Sequence, residues 1–273
     1  MPQTFRHPTG WTFQYPDGWS IAPNQAGSPM LVPPQAAPDQ EVYPFNLTPV
    51  LNVDRPDSPH ILQAFSQELG QLVPALAAST PRVQPVRFGP QPGVQLTWES
   101  GPLSAIFLIV LVGNQILSLG AIGAKPRVAA RLPALAGIAA TSAFGDPLLD
   151  PQLVGAWSNT EHYSSGSFSG SAQTVMRLNP DGTCSQGGGR VMASLGVTDD
   201  QGDWLGAVAG DTGPGREGQC GHWCAGHGVL YVRTNEVPCW VPSARYCVEG
   251  PPGQRKMLLT TGDGKRELWY EAV

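Results

Sequence analysis

From Leu103 to Ala124 the chain carries no charged side chain, and what that segment can become constrains everything around it. Its length approaches that of a membrane-spanning helix. The residues Gly113-Asn114-Gln115 nevertheless divide it into two runs of roughly ten residues, each too short to cross a bilayer as a helix. A Gly-Asn pair between two β-rich runs is a hairpin signal, because glycine supplies the positive φ that a type II′ turn requires. Apolar residues occupy both faces of each run, as in a central strand. The sequence therefore predicts a buried hairpin, no membrane span, and a sheet built around that hairpin.

Composition agrees with short strands rather than long helices. Of 273 residues, 33 are glycine and 28 proline, while only 14% are charged. Such a turn-rich, charge-poor chain disfavours helical bundles and coiled coils. Its length exceeds one average domain, so two compact units are expected. Sixteen basic residues against twenty-one acidic ones give a net charge of −5 with no Lys/Arg cluster, which argues against nucleic acid as a partner. The stretch Met1 to Pro8 lacks a basic region followed by an apolar one, so it does not read as a secretory signal, and the expected compartment is the cytoplasm.

The composition shifts at Asp146-Pro147-Leu148-Leu149-Asp150-Pro151, and domains are expected over 1–146 and 151–273. In the first, Thr12 to Tyr15 and Trp19 to Ile21 read as strands around the turn Pro16-Asp17-Gly18. Met30 to Pro33 and Val42 to Val53 continue as proline-broken edge strands. The period then changes: Ile61, Leu62, Phe65, Leu69, Leu72, Val73 and Leu76 fall on one helical stripe, with Ser58 as N-cap and Pro59 at the first helical position. Strands return at Val94 to Trp98 and in the apolar hairpin, and 126–140 is again helical in pattern despite Pro133. Strands, helix, strands, helix predict an α+β domain, an antiparallel sheet with two packed helices.

The opening Phe5-Arg6-His7-Pro8-Thr9-Gly10-Trp11-Thr12-Phe13-Gln14-Tyr15-Pro16-Asp17-Gly18-Trp19, this element order, and the ending Thr141-Ser142-Ala143-Phe144 resemble the PsbP/Mog1-like superfamily. The resemblance covers about half the chain. It implies a binding or accessory module, since members of that group are mostly non-catalytic, and it transfers no catalytic residue.

The second part reads as an all-β antiparallel barrel or sandwich. Short β-prone runs at Leu153 to Ser158, Ala172 to Leu178, Thr183 to Gly187, Val229 to Arg233, Ala244 to Val248, Lys256 to Thr260 and Arg266 to Tyr270 alternate with Pro/Gly/Asp turns. Gly155-Ala156-Trp157, Leu178-Asn179-Pro180-Asp181-Gly182-Thr183, Gly228-Val229-Leu230-Tyr231 and Glu267-Leu268-Trp269-Tyr270 resemble small lipocalin-like β-barrels. That resemblance implies a Gly-x-Trp closing the barrel floor, a last strand paired back to the first, and an internal cavity for a small ligand.

Chemistry-bearing side chains are densest in Cys220-Gly221-His222-Trp223-Cys224-Ala225-Gly226-His227. Thiolates and imidazoles suit zinc or copper, so Cys220, His222, Cys224 and His227 are the candidate metal ligands, although their spacing matches no standard zinc pattern. In a strand, Cys220, His222 and Cys224 would share one face, which would serve a metal and would equally place His222 in a barrel lumen. A bridge from Cys220 or Cys224 to Cys239 or Cys247 is the structural alternative, and Cys224 activated by His227 the nucleophilic one. His7 and His60, beside prolines, are expected to be exposed, and His162 follows a strand. The run Gly187-Gly188-Gly189-Arg190 lacks phosphate-loop context and reads as a flexible hairpin linker, and 199–203 reads as a solvated turn. The expectation is a non-enzymatic binding or accessory protein, its partner a small apolar ligand or another protein. The alternative is a metal-binding or redox-responsive protein using residues 220–227.

Overall fold

A computed structural model describes residues 1–23, 29–36, 41–49, 53, 55–165, 168–198, 204–214 and 220–272, with backbone only at 23, 49, 77, 163–165, 168–170, 188–198, 204–214 and 220. The chain divides into two compact units, Met1–Asp146 and Pro147–Val273.

The N-terminal unit runs β1 (Gln3–Arg6), β2 (Trp11–Tyr15), β3 (Ser20–Pro23), β4 (Pro29–Val32), β5 (Glu41–Val42), β6 (Phe45–Pro49), α1 (Pro59–Leu72), α2 (Pro74–Ala77), β7 (Arg82–Phe88), β8 (Gln91–Ser100), β9 (Leu103–Val112), β10 (Gln115–Ala124), α3 (Lys125–Ala140) and β11 (Ala143–Phe144). The apolar hairpin is β9 and β10, turning at Gly113 with φ 57°, and it forms the middle of a six-stranded antiparallel sheet in the order β5-β10-β9-β8-β7, with β6 also on β10. Its two-sided apolarity has a direct use. Leu108, Val110, Leu117 and Leu119 point to one face and pack with Val128, Leu135 and Ile138 of α3 and with Trp11, Phe13 and Phe45. Phe107, Ile109 and Ile116 point to the other, which they share with Trp98 of β8 and where Ile61 and Leu69 of α1 and Leu76 of α2 pack against them. The two long helices thus serve different cores on opposite faces of one sheet, which a period-2 strand allows.

Local readings are corrected in places. Ser58 occupies the N-cap position of α1, but its hydroxyl makes no capping bond. A helical turn, α2, follows Val73, so the α1 stripe is two pieces. His7 is buried, 7% exposed, its Nδ1 within 2.8 Å of the Thr9 hydroxyl, because the turn from Arg6 to Trp11 folds back on itself. The buried Glu41 carboxylate accepts from the Tyr43 hydroxyl at 2.7 Å and from Arg127 at 3.2 Å, tying β5 to α3.

The C-terminal unit comprises β12 (Gly155–Ser165), β13 (Phe168–Leu178), β14 (Thr183–Thr198), β15 (Trp204–Pro214), β16 (Cys220–Gly226), β17 (Val229–Thr234), β18 (Val241–Glu249), β19 (Lys256–Thr261) and β20 (Arg266–Glu271). They form one antiparallel sheet in the order β13-β12-β20-β19-β18-β17-β16-β14-β15, and a further β13–β14 pairing closes eight of the strands into a barrel. The last strand pairs back to the first through Trp157↔Glu271 and Ser158↔Tyr270. The glycine run 187–189 and Arg190, expected as a linker, lie inside β14, whose early part pairs with β16 and whose continuation carries β15. Residues 199–203, expected as a solvated turn, lie outside the described residues. Among the described residues no helix is long and apolar enough to cross a membrane.

Candidate ligand cavity

One end of the barrel is sealed. Leu149 and Leu153 pack against the buried core of Trp157, Leu178, Trp223 and Met257. The Trp157 indole donates to the Leu153 carbonyl at 2.8 Å, and the Trp223 indole donates to Asn179 at 3.0 Å. Arg255 places its guanidinium 5.2 Å over the Trp157 ring, donates to the carbonyls of Gln152 (2.6 Å) and Val154 (3.1 Å), and pairs with Glu271. That guanidinium, with the backbone N–H groups of Arg255 and Gly253, holds the Glu271 carboxyl at about 2. The Tyr246 hydroxyl donates to Asp150 at 2.6 Å, adding a second tie between the barrel wall and the segment that plugs it.

The other end is hollow. A cavity of about 350 Å³ is lined mostly by alternate residues of the surrounding strands: Met176 and Leu178 on β13, Cys184 and Gln186 on β14, Leu230, Val232 and Thr234 on β17, Leu259 and Thr261 on β19, and Glu267 and Trp269 on β20, with Ser185 of β14 and Ser243 and Ala244 of β18 also reaching it. The i, i+2 spacing is what a pleated strand projects to one face. Each strand becomes more polar away from the plug: Met257, Leu259, Thr261 along β19; Leu230, Val232, Thr234 along β17; Trp269 then Glu267 along β20. The result is an apolar well beneath a polar rim. Glu267 anchors the rim. One of its carboxylate oxygens accepts from the Trp269 indole at 3.2 Å and the other lies 2.9 Å from the Lys265 ammonium, which also reaches Glu161 at 3.2 Å. The Thr261 hydroxyl is bound to Asp263, whose carboxyl that bond lowers below its ordinary value.

The four proposed metal ligands lie along one hairpin. Cys220, His222 and Cys224 occupy alternate positions of β16, and His227 sits in the β16–β17 turn at φ 53° beside Gly228. At about 3.3 Å of rise per residue, the backbones of Cys220 and Cys224 are roughly 13 Å apart, and His227 lies farther on. The strand does not gather the set about one point. Among the described residues, no group of three His, Cys, Asp or Glu side chains is placed to hold a metal; the Cys220 side chain is outside that description. Gly221 lines the cavity and Trp223 and Ala225 join the barrel core, so the lumen takes the odd positions, and the exposed His222 faces away from it. Cys224 is buried, and burial pushes its thiol up to about 12, the reverse of an activated nucleophile. The bridges proposed from Cys224 do not form: Cys224, Cys239 and Cys247 are free thiols. Register explains part of this, since Cys224 pairs with Tyr231 and Tyr231 with Pro242, well short of Cys247 on β18.

The lumen residues Cys184, Gln186, Thr234, Thr261 and Glu267 did not stand out in the sequence. The usable signal was alternation in Lys256–Thr261 and Arg266–Glu271, which marks an inward face without saying whether it is filled.

No protein-family model matches the sequence, and no curated protein matches it. Among solved structures, the chain is similar to the solution structure of cyanobacterial PsbP (CyanoP) from Synechocystis sp. PCC 6803. The match covers 53% of this chain and 92% of that one, at 10% identity and a TM-score of 0.38.

Proposed function

We propose that this is a non-enzymatic binding protein in which a lipocalin-like C-terminal barrel holds one small, largely apolar ligand and a PsbP/Mog1-like N-terminal unit serves as an accessory or partner-binding module. The observation that carries the reading is the hollow half of the barrel, about 350 Å³ with an apolar well and a polar rim. That volume lies at the lower end of the range for small-molecule sites, and the mix of an apolar wall with a few polar groups is what such sites present. An aromatic plug and the Arg255 clamp close the far end, so a ligand would enter and leave by the rim.

The test is calorimetric titration of the full chain with decanol, an uncharged amphiphile short enough for the well. One site per chain with a negative heat-capacity change supports the reading. Ala244→Phe, which adds a ring to the cavity wall, is expected to abolish that binding while the barrel stays folded. Undetectable decanol binding, or binding unchanged by Ala244→Phe, overturns it.

A further inference from the structure

We propose that the barrel lumen discriminates by head-group charge, accepting alkyl amines and neutral amphiphiles and rejecting alkyl carboxylates; this rests on the reading of the barrel as a ligand cup. Among the described lining residues there is one carboxylate, Glu267, and no lysine, arginine or histidine. A fatty carboxylate seated in the well would therefore find no cation on the wall, and its head would be brought beside the Glu267 carboxylate, whose partner Lys265 is already shared with Glu161. Such burial is costly unless the charge is paired.

The position of Glu267 sharpens this. It stands one inward step above Trp269 on β20, where the apolar well ends, so the head group of an amphiphile with its tail in the well arrives at that carboxylate. The indole of Trp269 fixes one oxygen from below. The other oxygen pairs with Lys265, which is itself shared with Glu161, so the three groups sum to one negative charge at the mouth. Asp263, bound to the lumen residue Thr261, adds a second. An ammonium head can take the place of Lys265 on Glu267 and releases that lysine to Glu161. A carboxylate head cannot make the exchange. The cavity as a whole, about 350 Å³, is of a size that suits a ten-carbon tail with a small head.

The experiment is titration of the full chain at pH 7 and low salt with decylammonium, decanol and decanoate, each below its micellar concentration. Decylammonium is expected to bind about tenfold or more tighter than decanoate, with decanol between them. Glu267→Gln is expected to bring the two charged ligands within about twofold while decanol affinity holds, and Lys265→Ala, a change at an exposed side chain, to widen the gap. Decanoate binding as tightly as decylammonium in the unaltered chain overturns the inference and leaves the ligand cup standing. Failure of all three ligands to bind overturns the cup and the inference with it. If Glu267→Gln also loses decanol, the Lys265→Ala arm decides, and an unchanged gap there counts against the charge selection.

Discussion

The two units solve the same problem, covering an antiparallel sheet, in opposite ways. In the N-terminal unit the sheet stays open: α3 and the β1–β2 aromatics pack one face, and α1 and α2 cover the other, where a cleft of about 270 Å³ remains between α1 and β6, β9 and β10. In the C-terminal unit the sheet closes on itself, so its inner face must be filled by its own side chains, and those fill only the end near Trp157 and Trp223. Separate elements can draw in closely against a sheet, as α3 does, or leave a cleft beneath them, as α1 does. A closed barrel has a diameter set by strand number and stagger, and where its inward residues are small or polar the space stays open. The difference separates a sheet whose space lies beneath a separate helix from one whose space lies inside its own closure.

The largest effect should come from leucine truncation compared across the units. Leu108→Ala, on the sheet face packed by α3, is expected to cost its unit about 4 kcal/mol, whereas Leu259→Ala, on the cavity wall, should cost its unit about 2 kcal/mol, because one side of Leu259 has few atoms to lose. Urea unfolding of both variants measures this, and equal losses would break the contrast. Arg255→Ala should come next, at about 3 kcal/mol in the C-terminal transition alone, since it strips the Trp157 ring of its cation and leaves the partly buried Glu271 uncompensated. A loss shared by both transitions would show that the clamp is not local to the barrel.

Acid should then separate the units. The Glu271 carboxyl is depressed from 4.5 to about 2 in the folded chain, so its contribution is fully present above 4.5 and is lost as pH falls toward 2. The C-terminal transition is expected to weaken over that window, and Glu271→Gln to flatten the dependence; an acid limb that survives the substitution assigns it to other carboxylates. The smallest effect concerns the thiols. In the native chain an alkylating reagent at pH 7 should label the exposed Cys247 first and leave the buried Cys224 and Cys239 until the chain is unfolded, with no change on adding a chelator. Chelator-dependent labelling of Cys220 or Cys224 would revive zinc or copper binding at residues 220–227.

Much of this architecture was legible in local pattern. The hairpin from Leu103 to Ala124 announced itself because charge is absent and one Gly-Asn pair supplies the turn. Ile61, Phe65 and Leu69 marked α1 because a helix repeats every three to four residues. Gly155-Ala156-Trp157 and the closing Glu267 to Tyr270 marked the ends that meet in the barrel. What failed was local reading where the neighbours decide. The run 187–190 looked like a linker but lies within a strand, because partners on β13 and β15 supply the hydrogen bonds that poor β-propensity cannot outweigh. For the run 220–227 the sequence left loop and strand open, and pairing with β14 and β17 makes it a hairpin with Cys220, His222 and Cys224 at alternate strand positions.

Sequence alone therefore determined most of the segments that become strands and helices and that the second half is antiparallel β, a barrel or a sandwich, because propensity, periodicity and turn chemistry act over a few residues. Only the tertiary structure decided that the inward faces of β13, β14, β17, β19 and β20 leave a cavity, that Glu267 stands at its rim, and that His222 points away from it. Those outcomes depend on closure, on the register of strands far apart in the chain, and on the volume left when their side chains meet, none of which any single segment carries.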